Sequence, residues 1–444
     1  MILYALPEEL FCKDNTMTSA IRRYLKNITV TKRWPLRGEV CRTGAAAAVV
    51  IPALAESTYL FDTLLAISAS LPYSLRKVQI IVVVNNHHDS PPEVIADNRN
   101  TLHTLEYFHR ERILAPLHLG WVDASSAGFE LPENEGVGLA RKIGSDIALM
   151  ILEEQGSINA PIIHLDADSP PSAGYLDVLL SFYNERPRWA ALSGYQHPTD
   201  CEHKRQCSSI ISYEIYMRYH ELALRYSGSP YAYPALGSIM SSTALAYAAA
   251  GGMNRRCAGE DFYFLQQLRK TGNIEHIPYS MVYPSNRFSQ RTPFGTGRVI
   301  ANENMNETNV YDFLFHPECY TVLKQWLELA NDTIMLPPAE LVNAAGTVHK
   351  ELKSFLKTKR FQAQWEKISA NHPTTKARSQ QFHVWFDGLR TIQLIHHLRD
   401  TAFPNIPAED AISTLFTWYK QTQTRTEPIM LLRKLRRMCL RTCA

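Results

Sequence analysis

What this chain lacks narrows it first. Across 444 residues no apolar run approaches the length of about 20 that a membrane-crossing helix needs, so nothing reads as a transmembrane span. Cysteine is sparse, eight residues in all, scattered and without a Cys-x-x-Cys pair. That pattern excludes a disulfide framework and a paired-cysteine zinc site as organising principles, and reduced thiols are expected. Within "CEHKRQC", Cys201, His203 and Cys207 lack the spacing of structural zinc ligands and read as a polar loop. No charge excess appears either. A net charge of +3 is too small to point to nucleic acid. The opening "MILYALPEELFCKDN" has no basic leader and meets Glu8 and Glu9 early, which makes it a poor secretory signal. The expected location is therefore cytoplasmic. Internal repeats and low-complexity tracts are also missing.

What is present is 45% apolar and 20% charged, the composition of a soluble globular chain too long for one core. Residues 1–44 are mixed and read as a short helical extension. From 45 to 304 short β-like runs alternate with helices. "AAAAVVIPALAE" reads as a strand stopped by Pro52, and "VQIIVVVNNHHDSPP" as a buried strand ending in a polar turn. "LEYFHRERI" is read as strand. "GVGLARKIGSDIALMILEEQG" is helical, with Leu139, Ile143, Ile147, Met150 and Ile151 recurring at steps of three and four. "APIIHLDADSPP" and "WAALSGYQ" read as further strands. Continuous apolar strands separated by helices predict an α/β domain with a mostly parallel sheet. From 305 to 444 the β-like runs vanish and helical periodicity takes over, which predicts an appended α-helical unit.

Two acidic pairs carry chemistry. In "IIHLDADSPP" a strand would place Asp166 and Asp168 on one face, and Pro170 and Pro171 would end it. Ligands of open α/β sheets bind at the carboxyl ends of strands. Two carboxylates there make a half-site for a hard dication, Mn2+ or Mg2+, which converts their repulsion into shared attraction. The plain alternative is a pair of aspartates in a turn. In "AGEDFYFLQQLRK" Glu260 and Asp261 open a helix whose N-terminus favours negative charge. Asp261 there suits a general base, against the alternative of a charged first turn. "YPSNRFSQRTPFGTGR" interleaves Arg287, Arg291 and Arg298 with glycine, a pattern suited to a diphosphate or to a plain linker. His164, inside the strand, is expected to be packed and hydrogen-bonded. The tyrosine-rich "SYEIYMRYHELALRY" reads as a helical packing face.

In this order the motifs resemble family 2 glycosyltransferases over residues 45–300. "VVIPALAES" is similar to their Ile-Pro-x-Tyr-Asn-Glu turn, and "GVGLARKIG" to their Ala-Arg-Asn-x-Gly helix. "LDADS" is similar to their Asp-x-Asp, and "AGEDFYFLQQLRK" to their Glu-Asp helix. The resemblance implies a GT-A fold, a UDP- or GDP-sugar donor, a carbohydrate or lipid-linked hydroxyl acceptor, and inversion at the anomeric carbon. It implies that Pro52, Leu54, Glu56 and Asn85 line the nucleotide pocket, that Arg141 faces the donor, and that Asp166 lies near ribose and metal. Arg291 is expected at the donor diphosphate from its glycine-rich basic loop alone. It makes Asp168 the direct metal ligand, Asp261 the base and Glu260 its neighbour. Departures are plain: Leu54 and Ala55 stand for Tyr-Asn, and Asn85 and Asn86 for the frequent Asp-Asp. Gln266 and Arg269 echo a Gln-x-x-Arg-Trp motif of processive relatives, but Lys270 stands where tryptophan would.

Two other readings compete. A sugar-phosphate nucleotidylyltransferase wants glycine and lysine in the first loop, and "IPALAES" has neither. A non-catalytic scaffold would act through the helical unit. The basic C-terminus, with Arg433, Lys434, Arg436, Arg437 and Arg441 among leucines, is a candidate for peripheral contact with an anionic membrane.

Overall fold

The computed structural model describes residues 14–69, 77–200, 204–287, 312–422 and 427–441. Contacts divide the chain into two units. The first lies within 1–200 and 235–298, the second within 201–234 and 299–442.

The first unit is built on one eight-stranded sheet. Its members in chain order are β1 (Leu36–Gly38), β2 (Ala47–Ala53), β3 (Val78–Asn85), β4 (His118–Ala124), β5 (Pro161–His164), β6 (Ala190–Tyr195), β7 (Met240–Thr243) and β8 (Ile274–Val282). Across the sheet the order is β1-β4-β3-β2-β5-β7-β6-β8. The centre, β4-β3-β2-β5, is parallel throughout, and β7 runs antiparallel to both of its neighbours. All eight residues of β3 are buried, as a strand covered on both faces requires. The helices of this unit are α1 (Asp14–Asn27), α2 (Leu60–Ala69), α3 (Pro92–Arg110), α4 (Val137–Glu154), α5 (Tyr175–Glu185), α7 (Ala244–Ala249) and α8 (Glu260–Thr271), with α6 (Lys204–Tyr226) in the second unit. This is the expected α/β class, a mostly parallel sheet flanked by helices.

Three local expectations change. Pro52 does not stop β2, which continues to Ala53 with Pro52 paired to Val83. The Val50 carbonyl accepts from the Leu165 N–H on the β5 side. Two residues on, Pro52 faces the same way, past the end of β5, so its missing N–H costs no ladder bond. "LEYFHRERI" is not strand: through Arg110 it is the last part of α3, with Thr101 and Leu105 buried one turn apart. The neighbouring strand is β4, farther along. Finally, β5 ends at His164, so Asp166 and Asp168 lie in the loop beyond it, with a turn at 167–168 closed by Ser169 N–H to the Asp166 carbonyl at 3.2 Å.

A buried polar knot joins α1, α4 and α7. Asp146 accepts from Tyr24 at 2.7 Å, from Tyr247 at 2.8 Å and from the Val30 N–H at 3.1 Å, and pairs with Lys142 at 3.1 Å. The side chains of Tyr24, Lys142, Asp146 and Tyr247 are all buried and bonded, the condition under which such a network contributes to stability.

The second unit is helical: α6, then α9 (Pro317–Thr333), α10 (Pro338–Val348), α11 (Lys350–Thr358), α12 (Phe361–Asn371), α13 (Thr375–Trp385), α14 (Gly388–Thr401), α15 (Ala408–Trp418) and α16 (Pro428–Arg441). A two-strand ladder pairs β9 (Phe313–Leu314) with β10 (Ile406–Pro407). Trp326, Trp365, Phe361, Phe382 and Phe386 centre an aromatic core to which Tyr219 and Leu222 of α6 belong. The tyrosine-rich helix is thus a packing element. The C-terminal helix α16 buries Leu432, Leu435, Met438 and Cys439 in the same core. Its Arg436 forms a two-pronged pair with the fully buried Glu214, at 2.8 and 2.7 Å. The apolar face that would enter a membrane is therefore already in use, and Arg433 and Arg437 are exposed among the residues whose burial is described.

Candidate active site

The carboxyl ends of β2, β3 and β5 present three loops on one edge of the sheet, and α4 and α8 bring charged groups to it. Helix α4 docks closely on the loop before α8. The Gly138 N–H donates to the Arg256 carbonyl at 3.0 Å, and a Cβ at Gly138 would meet the carbonyl oxygens of Arg256 and Asn254 at 2.6 and 2.7 Å. Only glycine allows that approach.

One turn later on α4 lies Arg141, 2% exposed. Its Nε donates to Glu260 Oε1 at 3.0 Å, and its Nη2 donates to Asp166 Oδ1. Gly237 leaves room for this guanidinium, since a Cβ there would sit 2.2 Å from Nη2. The remaining nitrogen, Nη1, is buried with no partner among the described residues. A buried, unanswered guanidinium donor costs free energy, and an anion is its natural complement. The arginine thus joins the two acidic pairs that the sequence places about a hundred residues apart.

Asp261 follows Glu260 in the first turn of α8. Burial pushes its pKa from 3.8 up to about 7, and the neighbouring charges of Glu260 and Asp166 add to the rise. The Phe262 N–H, 2.7 Å from Oδ1, and Arg141 pull the other way. Desolvation thus outweighs the help that a helix N-terminus gives to the ionised form. A carboxyl that titrates near neutrality is suited to moving a proton.

The second acid, Asp168, pairs with Arg287 at 2.8 Å, and the same guanidinium nitrogen meets Glu56 at 2.5 Å. Arg287 also lies over the Tyr59 ring, 4.3 Å from its centroid. The carboxylate repulsion that the sequence poses is relieved here by two arginines, one for each aspartate. Arg287 thus meets carboxylates, where its segment suggested a diphosphate. Arg291 and Arg298 lie outside the described residues, as do Cys201 and His203.

The donor atoms suit a hard cation. Two aspartate carboxylates supply oxygen ligands and leave positions for phosphate and water. Among the described residues no three His, Cys, Asp or Glu side chains stand together as a complete metal cage. Such an ion would also have to displace Arg287 from Asp168.

The base of the cleft is organised by α3. Asn98 donates to the Asn85 carbonyl at 3.0 Å and to the Asn86 side chain at 2.8 Å, and accepts from the Ala55 N–H at 2.9 Å. Asp97 accepts from the Ser57 N–H and hydroxyl at 3.1 and 2.5 Å. These two residues fix the loop holding Leu54 and Glu56 against the end of β3. Sequence reasoning missed both, and the only signal was a polar pair inside "EVIADNRNTL". Asn85 is buried, with its side-chain oxygen unpartnered among the described residues. Pro52 and Leu54 are half-buried at the end of β2.

His164 packs edge-on against Phe264, at a centroid distance of 5.8 Å. Contrary to expectation, neither ring nitrogen has a partner among the described residues. Burial, followed by the charge of Arg141, drives its pKa down to about 3, so the ring is neutral.

No family model matches this chain, and no curated protein matches it. Among solved structures it is similar to S. aureus TarS 1-349, with a TM-score of 0.34 and 11% identity over 70% of this chain and 91% of that one. That TarS segment is also known in complex with UDP-GlcNAc, where the TM-score is 0.35 and the identity 11%, over 70% and 91% of the two chains. The mannosyltransferase PcManGT from Pyrobaculum calidifontis, in complex with GDP-Man and Mn2+, has a TM-score of 0.35 and 14% identity over 84% of this chain and 94% of that one. At such values likeness carries no argument about chemistry, and the site stands on its own geometry.

Proposed function

We propose that this chain is a glycosyltransferase of the GT-A, family 2-like kind, moving a sugar from a nucleotide-diphosphate donor to a hydroxyl with inversion. The observation that carries the reading is the set Arg141, Glu260, Asp261 and Asp166, gathered at the carboxyl edge of a parallel sheet with one carboxyl titrating near 7.

In this reading Asp261 accepts the proton of an acceptor hydroxyl. The hydroxyl oxygen forms its bond to the anomeric carbon from the face opposite the nucleotide, and the bond to the diphosphate breaks with its electrons on the leaving group. Arg141 holds Glu260 and Asp166 in place and keeps one donor free for an anion. Pro52, Leu54, Glu56 and Asn85 shape the nucleotide end of the cleft. Asp166 and Asp168 would hold Mn2+ or Mg2+, which when bound supplies positive charge against the leaving diphosphate. The free thiols at Cys41, Cys207, Cys257, Cys319 and Cys439 suit the reducing cytoplasm, where we place the protein. A peripheral membrane contact to a lipid-linked acceptor would use the exposed Arg433 and Arg437.

The test is a calorimetric and hydrolysis screen of UDP- and GDP-sugars, with and without Mn2+, on the parent chain and on Asp261→Asn. The expected result is donor binding by both proteins, with slow hydrolysis by the parent only. Absence of any nucleotide-sugar binding sinks the proposal and favours the scaffold reading.

A further inference from the structure

A second cavity lies at the opposite edge of the sheet, where β2, β3 and β4 begin. Its volume is about 610 Å3, and its lining includes Arg42, Lys77, His109, Arg112, His118 and Glu39. Small-molecule sites commonly span roughly 300–1,000 Å3. Strand β2 alone has seven residues between the two edges, about 20 Å at 3.3 Å per residue, so this opening is separate from the cleft holding Asp261.

Its charge is one-sided. Arg42, Lys77 and Arg112 are exposed, and no hydrogen bond or ion pair holds their side chains among the described residues. The lining holds one acid, Glu39, whose carboxylate lies 3.1 Å from His118 Nδ1, against three fixed cations. Three like charges around one opening repel unless something negative lies between them. The macrodipole at the C-terminal end of α3 accounts for His109 and Arg112. It does not account for Arg42 and Lys77, which reach the same opening from the segments leading into β2 and β3.

The wall is built rather than loose. The buried Gln79 of β3 accepts from the Cys41 N–H at 2.8 Å and donates to the carbonyls of Glu39 at 3.1 Å and His118 at 3.0 Å. Gln155 accepts from the Ala45 N–H at 2.7 Å and donates to the Cys41 carbonyl at 2.6 Å. Two glutamine side chains thus hold the loop from Glu39 to Ala45 in one shape. A fixed wall lowers the ordering cost of binding.

We propose that this cavity binds a multiply charged phosphate-bearing ligand through Arg42, Lys77 and Arg112. Guanidinium forks match phosphate oxygens in pairs, and the lysine adds a point charge between them. The proposal is independent of the transferase reading, because it uses no residue of the first site.

The probe is inorganic pyrophosphate, titrated calorimetrically at low salt into the full chain and followed by hydrogen exchange. The comparison proteins are the triple variant Arg42→Ala/Lys77→Ala/Arg112→Ala and, as a control on the other edge, Arg287→Ala. Exposed side chains without partners are removed, so unchanged melting of the triple variant is expected and is checked first. The structure predicts protection of amides in 39–45 and 112–118, at least tenfold weaker binding by the triple variant, and retained protection in Arg287→Ala. Vesicles rich in phosphatidylglycerol distinguish the source of the phosphate. Retention of the parent but not the triple variant assigns a lipid headgroup, and no retention assigns a soluble phosphate. Equal pyrophosphate affinity in the parent and the triple variant overturns the site. So does protection confined to the loops around Glu56 and Asp168.

Discussion

Replacing Asp261 with asparagine keeps its shape and removes a titrating group that the fold holds far from its ordinary state. In the native chain that carboxyl titrates at about 7, against 3.8 for an unperturbed aspartate. A rise of about three pH units, at about 1.4 kcal/mol each, puts about 4 kcal/mol against the ionised native state. The sign follows from proton binding. Because the folded pKa is the higher one, the native state holds more protons than the unfolded chain between about pH 4 and 7. The protonated form is fully accommodated below about pH 4, and stability is lost as pH rises through 7. Asparagine cannot ionise, so the stability of Asp261→Asn should match the parent near pH 4 and exceed it above pH 7. About 4 kcal/mol is the ceiling, and relaxation around the charge reduces it. The assay is urea denaturation of both proteins at pH 4, 5.5, 7 and 8. A variant no more stable than the parent at pH 8, or a gap that does not widen between pH 4 and 8, refutes the desolvated-carboxyl account. The same titration governs rate: transfer by the parent should fall about tenfold per pH unit below 7, as a base is lost to protonation.

Other perturbations follow from the same geometry. Arg141→Met leaves Glu260 buried without its cation and should cost about 3–5 kcal/mol in denaturation, since breaking one side of a buried pair leaves an uncompensated charge. Arg141→Lys should not restore donor binding, because a point ammonium cannot divide itself between Glu260 and Asp166 as a fork does. Arg287→Ala should raise Mn2+ affinity several-fold in a spin-resonance titration without donor, because Arg287 competes for Asp168. Unchanged affinity would show that the aspartates do not hold the metal. Asp146→Ala strips the shared acceptor from Tyr24, Tyr247 and Lys142 and should cost about 3–5 kcal/mol, read as a lower melting temperature with unaltered donor specificity.

Much of this was legible in the residues. The short apolar run before Asn85 reads as a strand buried on both faces because it is rich in valine and isoleucine and ends in a polar turn, and the three- and four-residue recurrence in "GLARKIGSDIALM" reads as a helix because that period follows from backbone geometry. "LEYFHRERI" failed for the complementary reason. Aromatic and β-branched residues suit a strand, but helical packing around Leu105 decided between two local options.

The sequence by itself determined the mostly parallel sheet, the helical character of the C-terminal stretch from 305, and the two acidic pairs as the places where chemistry would concentrate. Only the tertiary structure decided how those charges are answered. Arg141 satisfies Asp166 and Glu260 across about a hundred residues of chain, and Arg287 satisfies Asp168 and Glu56 across more than that. It also decided that Asp261 titrates near 7, and that the basic C-terminal helix spends Arg436 on Glu214. Charge pairing and desolvation depend on distance and on the exclusion of water. Neither quantity exists in a chain until it has folded.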